Sequence, residues 1–235
     1  MEQTDEELYD RPVTVSPAVV KRLPRYYRYL RELIAQGRNR ISSGELADMM
    51  NVTASQIRQD LNCFGGFGQQ GYGYNVSYLF AKISEILAVG AGYHAIIIGA
   101  GDLGRALVHL SMFEKRGVDI LAMFDTGEGL VGQTFADVEV LPLDALEDFC
   151  RDNQVDIAVI TCPKDQVKPI AARLVDCKVK GLWNYMGVEL KYDPRTIVVE
   201  NVHLGDFLMI LNYKIASRDS RLPGDKPDVT GESDA

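Results

Sequence analysis

Gly99-Ala100-Gly101-Asp102-Leu103-Gly104 has the spacing G-x-G-x-x-G, directly after the apolar run Tyr93–Ile98 and before a helical stretch at Arg105–Phe113. Between a strand and a helix, each glycine of that pattern has its own task. Gly99 permits the tight turn, Gly101 lets the backbone approach a pyrophosphate, and Gly104 brings helix and strand together. The helix N-terminus adds N–H groups that favour an anion. A second apolar run, Ile120–Phe124, ends at Asp125, the place of an acid that binds an adenosine ribose 2′-OH and disfavours a 2′-phosphate. With no Arg in residues 126–132, the expected ligands are NADH and NAD+ rather than their phosphorylated forms. Ala100 and Leu103 belong to the same loop. Asp102 is its misfit, because a carboxylate there repels phosphate unless it points outward. Thr161-Cys162-Pro163 and Asn184-Tyr185 follow later strands and are further candidate contacts, although ordinary loop chemistry accounts for them equally well.

A second group of chemically suited residues lies near the N-terminus. Gln56, Arg58 and Gln59 sit on a short polar helix whose opening is capped by Thr53 or Ser55. Before it, Ser42-Ser43-Gly44-Glu45 opens a helix with capping-box spacing, and Asn51-Val52-Thr53 makes a short turn. Helix, tight turn and capped polar helix form the helix-turn-helix pattern, which any two short helices can imitate. The stretch Gly65–Tyr74 holds five glycines among ten residues with aromatics beside them, and is expected to be the hairpin wing of a winged helix.

The elements that must position these residues divide the chain. Residues 1–15 form a flexible N-terminus and 16–78 a winged-helix domain, opened by Ser16-Pro17, interrupted by Pro24 and stopped near Gly37. Residues 79–92 form a connecting helix and linker, taken from an amphipathic stretch at Tyr78–Val89. Residues 93–202 form an α/β domain with a Rossmann-type parallel sheet, its further strands expected at Val138–Val140, Val155–Thr161, Gly181–Asn184 and Thr196–Glu200. Residues 203–217 form a last helix, and 218–235 a disordered tail.

Charge follows the same division. The net charge is −8, yet residues 11–75 carry nine Lys and Arg against four Asp and Glu. Positive charge is concentrated where phosphate contact is expected, and the acidic remainder repels DNA. No apolar run approaches the ~20 residues of a membrane span, and the acidic N-terminus is unlike a leader, so a cytoplasmic protein is expected. Cys63, Cys150, Cys162 and Cys177 lie far apart among only three histidines, which excludes metal-site spacing and favours buried reduced thiols over a thiol sensor. His94 and His109 are poorly placed for catalysis, and His203, at the start of the last helix, could approach a cofactor. With no second substrate domain, the protein is expected not to be an enzyme. A small NAD-dependent oxidoreductase with an N-terminal helical appendage, and a DNA-binding protein whose Rossmann domain is only a dimerisation scaffold, remain as alternatives.

Taken together, Lys21–Leu30, Ile41–Leu46, Gln56–Leu61, Phe67–Tyr74, the glycine loop and Phe124-Asp125 closely resemble the Rex family of redox-sensing repressors over about residues 13–217. The resemblance implies a homodimer in which each C-terminal helix, about Leu204–Ala216, swaps onto the partner. It implies binding to an inverted-repeat operator in double-stranded DNA, permitted by NAD+ and released by NADH. It also implies DNA contacts among Ser43, Thr53, Ser55, Gln56, Arg58, Gln59, Gln69, Gln70 and Tyr72. Arg58 and Gln59 would face the major groove, a phosphate contact for Arg58 being equally open. Gln69 and Gln70 fall at the wing tip, where relatives often carry Lys or Arg. Arg28 matches a residue that couples the two domains through an aspartate at the start of the last helix. Here His203 occupies that position, so either Asp206 substitutes or the coupling differs.

Overall fold

The computed structural model describes residues 15–62, 68–69 and 73–218. Residues 1–14 of the expected flexible N-terminus, Cys63, most of the wing with Gln70 and Tyr72, and the tail beyond Arg218 lie outside them. The described residues divide into two compact units, with the boundary between Ala91 and Gly92.

In the first unit, Ser16 caps α1 (Pro17–Val20), and α2 runs Leu23–Ala35. Pro24 sits in the first turn of α2, where its missing N–H costs nothing, so it divides the apolar run into two helices instead of kinking one. Gly37, at φ +72°, closes α2. A two-residue strand, β1 (Arg40–Ile41), leads into α3 (Ser43–Met50), whose capping box is complete: Glu45 N–H donates to Ser42 Oγ and Ser42 N–H to the Glu45 carboxylate. Asn51, left-handed at φ 50°, ends α3, and α4 runs Ala54–Asn62. Of the two candidate caps for α4, it is the Thr53 hydroxyl that accepts the Gln56 N–H.

The strands β2 (Gly68–Gln69) and β3 (Gly73–Asn75) pair antiparallel, with β3 between β1 and β2. Gln69 is therefore paired with Gly73 inside the hairpin. Gly73 needs its lack of a side chain, since a Cβ there would lie 2.6 Å from the Ile41 carbonyl oxygen. The helix expected at Tyr78–Val89 begins earlier and ends sooner, as α5 (Val76–Ile86). It is part of this unit's core, not a free connector: Val76, Leu79 and Ile83 are buried with Leu23, Tyr26, Leu30, Ile57 and Leu61, and Phe80 stacks on Tyr27.

The second unit is a seven-stranded sheet. Its strands are β4 (Tyr93–Ile98), β5 (Val118–Asp125), β6 (Thr134–Phe135), β7 (Val138–Pro142), β8 (Ile157–Ile160), β9 (Gly181–Asn184) and β10 (Val198–Asn201). Their spatial order is β10-β9-β8-β4-β5-β7-β6, parallel except for the edge strand β6, which two residues of sequence could not announce. Six parallel strands in this order are the doubly wound arrangement, and the direction of winding reverses between β4 and β8. Alternate residues of β4 serve opposite faces, Ile96 and Ile98 one core and Ile97 the other, as a strand covered on both sides requires. The helix after the glycine loop is α6 (Asp102–Val108), starting and ending earlier than the expected Arg105–Phe113, with His109 at its C-cap. Helices α7 (Leu146–Asp152) and α8 (Val167–Asp176) follow, and α9 (Leu204–Arg218) ends the described chain.

Candidate nucleotide and DNA sites

The glycine loop crosses the end of β4 at the point where the winding reverses. Gly99 is held at φ +105°, and a Cβ on it would lie 2.8 Å from the Cys162 nitrogen. Gly104 is tighter still, with a Cβ only 2.0 Å from the Gly99 carbonyl oxygen. Thr161 ties the two strand ends together, its hydroxyl lying 3.0 Å from the Ile98 carbonyl and 2.9 Å from that of Gly99. Gly101 differs from both, because a Cβ there would meet nothing within 4 Å. Gly99 and Gly104 are thus required by the fold, whereas Gly101 leaves open space beside the backbone.

Asp125 lies across from the loop at the end of β5. Its carboxylate accepts the Ala100 N–H at 2.6 Å and the Gly127 N–H at 2.8 Å, which aims it at the loop and leaves a lone pair on each oxygen. The cavity between these elements is about 330 Å³ and is lined by Gly99, Gly101, Asp125, Thr161, Cys162 and Pro163 from the expected set. Asp102 resolves its misfit by pointing outward, fully exposed and paired with Arg105 at 2.6 Å. Asn184 and Tyr185 are not brought to the cavity. The Asn184 amide is buried and donates to Val188 and Asn201, while Tyr185 packs against Trp183 on the opposite face.

Ile98, Phe124, Thr126, Leu130, Leu143, Gln166, Ile170 and Met186 complete the lining, and sequence reasoning did not single them out for it. They are ordinary core and loop residues in the sequence, and only the sheet order gathers them. Arg173 supports this wall from behind, donating to Glu147 on α7 and, at 2.9 Å, to the Leu143 carbonyl. None of the described thiols suits nucleophilic chemistry. Burial pushes Cys162 up to about 11 and Cys150, beside Cys177, up to about 12. Among the described residues no three His, Cys, Asp or Glu stand together as a metal site, and no helix is long and apolar enough to cross a membrane.

In the first unit, α3 and α4 form the helix-turn-helix. Thr53, Ser55, Arg58 and Gln59 are exposed on or beside α4, and the Arg58 guanidinium donates to Ser43 Oγ at 3.2 Å. On the inner side of α4, the carboxylate of Asp60 is 1% exposed. Arg22 donates to it through Nε at 2.7 Å and Nη2 at 2.6 Å, Tyr26 Oη at 2.9 Å and Gln56 Nε2 at 2.8 Å. Burial alone would raise this carboxyl, but the Arg22, Gln56 and Tyr26 donors hold it below the usual carboxylate range. The residues expected to couple the domains have local partners. Arg28 lies over the Tyr29 ring at 5.8 Å, His203 Nε2 is 3.1 Å from Glu189, and the Asp206 N–H donates to the His203 carbonyl.

Comparison with known proteins separates the readings. A family model described as "Putative DNA-binding protein N-terminus" matches residues 14–62, and one described as a CoA binding domain matches residues 92–187. The chain is 46% identical over 219 residues to the redox-sensing transcriptional repressor Rex of Thermoanaerobacter sp. (strain X514), covering 92% of this chain and 97% of that protein. The chain belongs to the Rex family of redox-sensing transcriptional repressors. Rex of Clostridium botulinum (strain Hall) is 48% identical over 88% of this chain and 98% of its own length. Among solved structures, RSP in complex with beta-NAD+ and operator DNA is similar with a TM-score of 0.81 and 47% identity, over 88% of this chain and 94% of that one. RSP in complex with beta-NADH is similar at 0.81 and 43% identity, over 88% of this chain and 97% of that one. Rex proteins regulate transcription, so the parallel sheet serves a regulator and the oxidoreductase alternative falls.

Proposed function

We propose that this Rex protein binds an inverted-repeat operator as a homodimer and leaves it when NADH binds, so that transcription follows the NADH/NAD+ ratio. The reading is carried by one observation: a chain with a helix-turn-helix whose polar face is exposed also has an open glycine cradle at Gly101, faced by Asp125. The cradle suits a pyrophosphate, and the remaining acceptor capacity of Asp125 suits a ribose diol. The apolar lining from Leu130, Leu143, Ile170 and Met186 suits an adenine ring. Thr161, Cys162 and Pro163 supply the second strand end. The nicotinamide brings the signal, being cationic when oxidised and neutral when reduced. Only a difference in affinity between the DNA-bound and released states can turn that signal into release.

The surface of α9 supports dimerisation through that helix. Phe207, Leu208, Met209, Ile210, Leu211 and Tyr213 are each more than half exposed, and the helix buries none of its residues within the chain. A helix apolar on all sides requires a partner, and exchange of α9 between two copies supplies one. Arg28 with His203 or Asp206 is the proposed link between cofactor and DNA affinity.

The test is binding to a labelled inverted-repeat duplex at fixed salt, titrated with NADH and separately with NAD+. Release by NADH with little release by NAD+ is expected. Operator binding indifferent to NADH would refute the sensor half of the proposal.

A further inference from the structure

Asp60 is buried, charged and in contact with a residue of the DNA-reading helix, yet too deep to reach DNA itself. Its four acceptor sites are filled: Oδ1 accepts from Arg22 Nη2 and Gln56 Nε2, and Oδ2 from Arg22 Nε and Tyr26 Oη. Arg22 supplies the opposite charge, and Arg22 and Tyr26 tie α4 to α2. Neither role needs Gln56.

The contact with Gln56 has a separate consequence. A carboxylate can only accept, so the Gln56 side chain must turn its NH2 group toward Asp60 and its carbonyl away. An exposed glutamine turns its amide freely, whereas this one, half-buried in the first turn of α4, has its polarity set from beneath. Its backbone is set as well, by the N–H donated to Thr53 Oγ1 at 3.1 Å. What remains available is Oε1 and the other N–H of Nε2. That is the acceptor–donor pair with which a glutamine reads adenine in the major groove, accepting from N6 and donating to N7. The first turn of a recognition helix is also the part that approaches base edges.

We propose that Asp60 is a positioning residue for sequence reading: it fixes the Gln56 amide so that α4 presents an adenine-reading edge. The inference rests on the DNA-binding reading above. The test exposes the full chain, in the DNA-binding state, to duplexes randomised in both halves of an inverted repeat, and sequences the bound fraction. For the wild type, a preference for A·T of about tenfold or more is expected at one position of each half-site. Asp60→Asn and Gln56→Met should each reduce that preference to within about threefold at the same position, and the double variant should go no further. Preferences elsewhere and the salt dependence of binding should not change. Tyr26→Phe leaves Arg22 and Gln56 on the carboxylate, and should lose stability while keeping the preference. A second measurement needs no variant: in the wild type, one of the two Gln56 side-chain amide protons should exchange slowly by NMR. It decides the matter if Asp60→Asn does not fold. The inference is overturned by a wild-type profile in folded Asp60→Asn, by losses spread evenly over the half-site, or by both Gln56 amide protons exchanging as in an exposed glutamine. A wild type that selects sequences while Gln56→Met leaves the profile intact overturns this inference alone. A wild type that selects no sequence overturns the DNA-binding reading and this inference together.

Discussion

Replacing Gly101 with alanine, and Gly104 with alanine beside it, separates what the glycine loop does for the fold from what it does for the ligand. At Gly101 the added methyl meets no protein atom within 4 Å, and φ −69° with ψ −171° is ordinary extended backbone. Gly101 is also the N-cap of α6, where alanine is the poorer choice by up to about 1 kcal/mol. The reduced freedom of the unfolded chain returns about 0.4–1 kcal/mol. Stability should therefore change by less than about 1 kcal/mol, or roughly 2–4 °C in Tm. At Gly104 the methyl would stand 2.0 Å from the Gly99 oxygen and 3.0 Å from Thr161 Oγ1, both held by the sheet. Relieving that overlap means shifting α6, and overpacking of this kind costs about 1–3 kcal/mol, at the upper end here. The order reverses for ligand affinity. The Gly101 methyl occupies the space a pyrophosphate would take, so the NADH Kd should rise at least about tenfold, equivalent to about 1.4 kcal/mol. Thermal melts and calorimetric NADH titration of the two variants supply both quantities. An Gly101→Ala protein that binds NADH within about threefold of wild type would refute the assignment of the cradle, as would one destabilised as much as Gly104→Ala.

Four further outcomes are expected. Asp125→Ala should weaken NADH binding and narrow the preference for NADH over NADPH, measured by the same titration, because it removes the proposed ribose acceptor and leaves the Ala100 and Gly127 N–H groups unpaired. Phe207→Glu or Leu211→Glu should shift the chain from dimer to monomer in sedimentation, since each places a charge on the apolar surface of α9. Arg28→Ala combined in turn with His203→Ala and Asp206→Ala should be non-additive in NADH-driven operator release for whichever residue carries the link, with additivity for both refuting it. Asp156 is buried, yet Lys180, the His94 N–H and Gln154 hold its carboxyl below the usual range against the pull of burial. Its stabilising contribution is therefore complete above the unfolded value of about 3.9 and is lost as pH falls through the lower folded value. Acid unfolding followed by circular dichroism should then show a shallower loss of stability below about pH 4 in Asp156→Asn.

Local chemistry made much of this protein legible. Gly99, Gly101 and Gly104 could be given separate tasks because the spacing itself requires them, and the tight turn at Gly99 and the close packing at Gly104 are both found in the fold. The Ser42–Glu45 capping box and the Asn51–Thr53 turn follow from short-range hydrogen bonding, which needs no knowledge of the rest of the chain. The role of α5 was not legible in the sequence, because an amphipathic helix shows that it has an apolar face without showing what covers that face. Tertiary packing alone decided that Val76, Leu79 and Ile83 complete the first core. The apolar wall of the cavity was likewise invisible, since Leu130, Leu143, Ile170 and Met186 are distant in sequence and meet only because β4 and β8 are neighbours where the winding reverses. The outward turn of Asp102 and the inward turn of Asp60 carry the same lesson. A carboxylate's type and position are written in the sequence, but its environment is set by the groups that long-range folding brings against it.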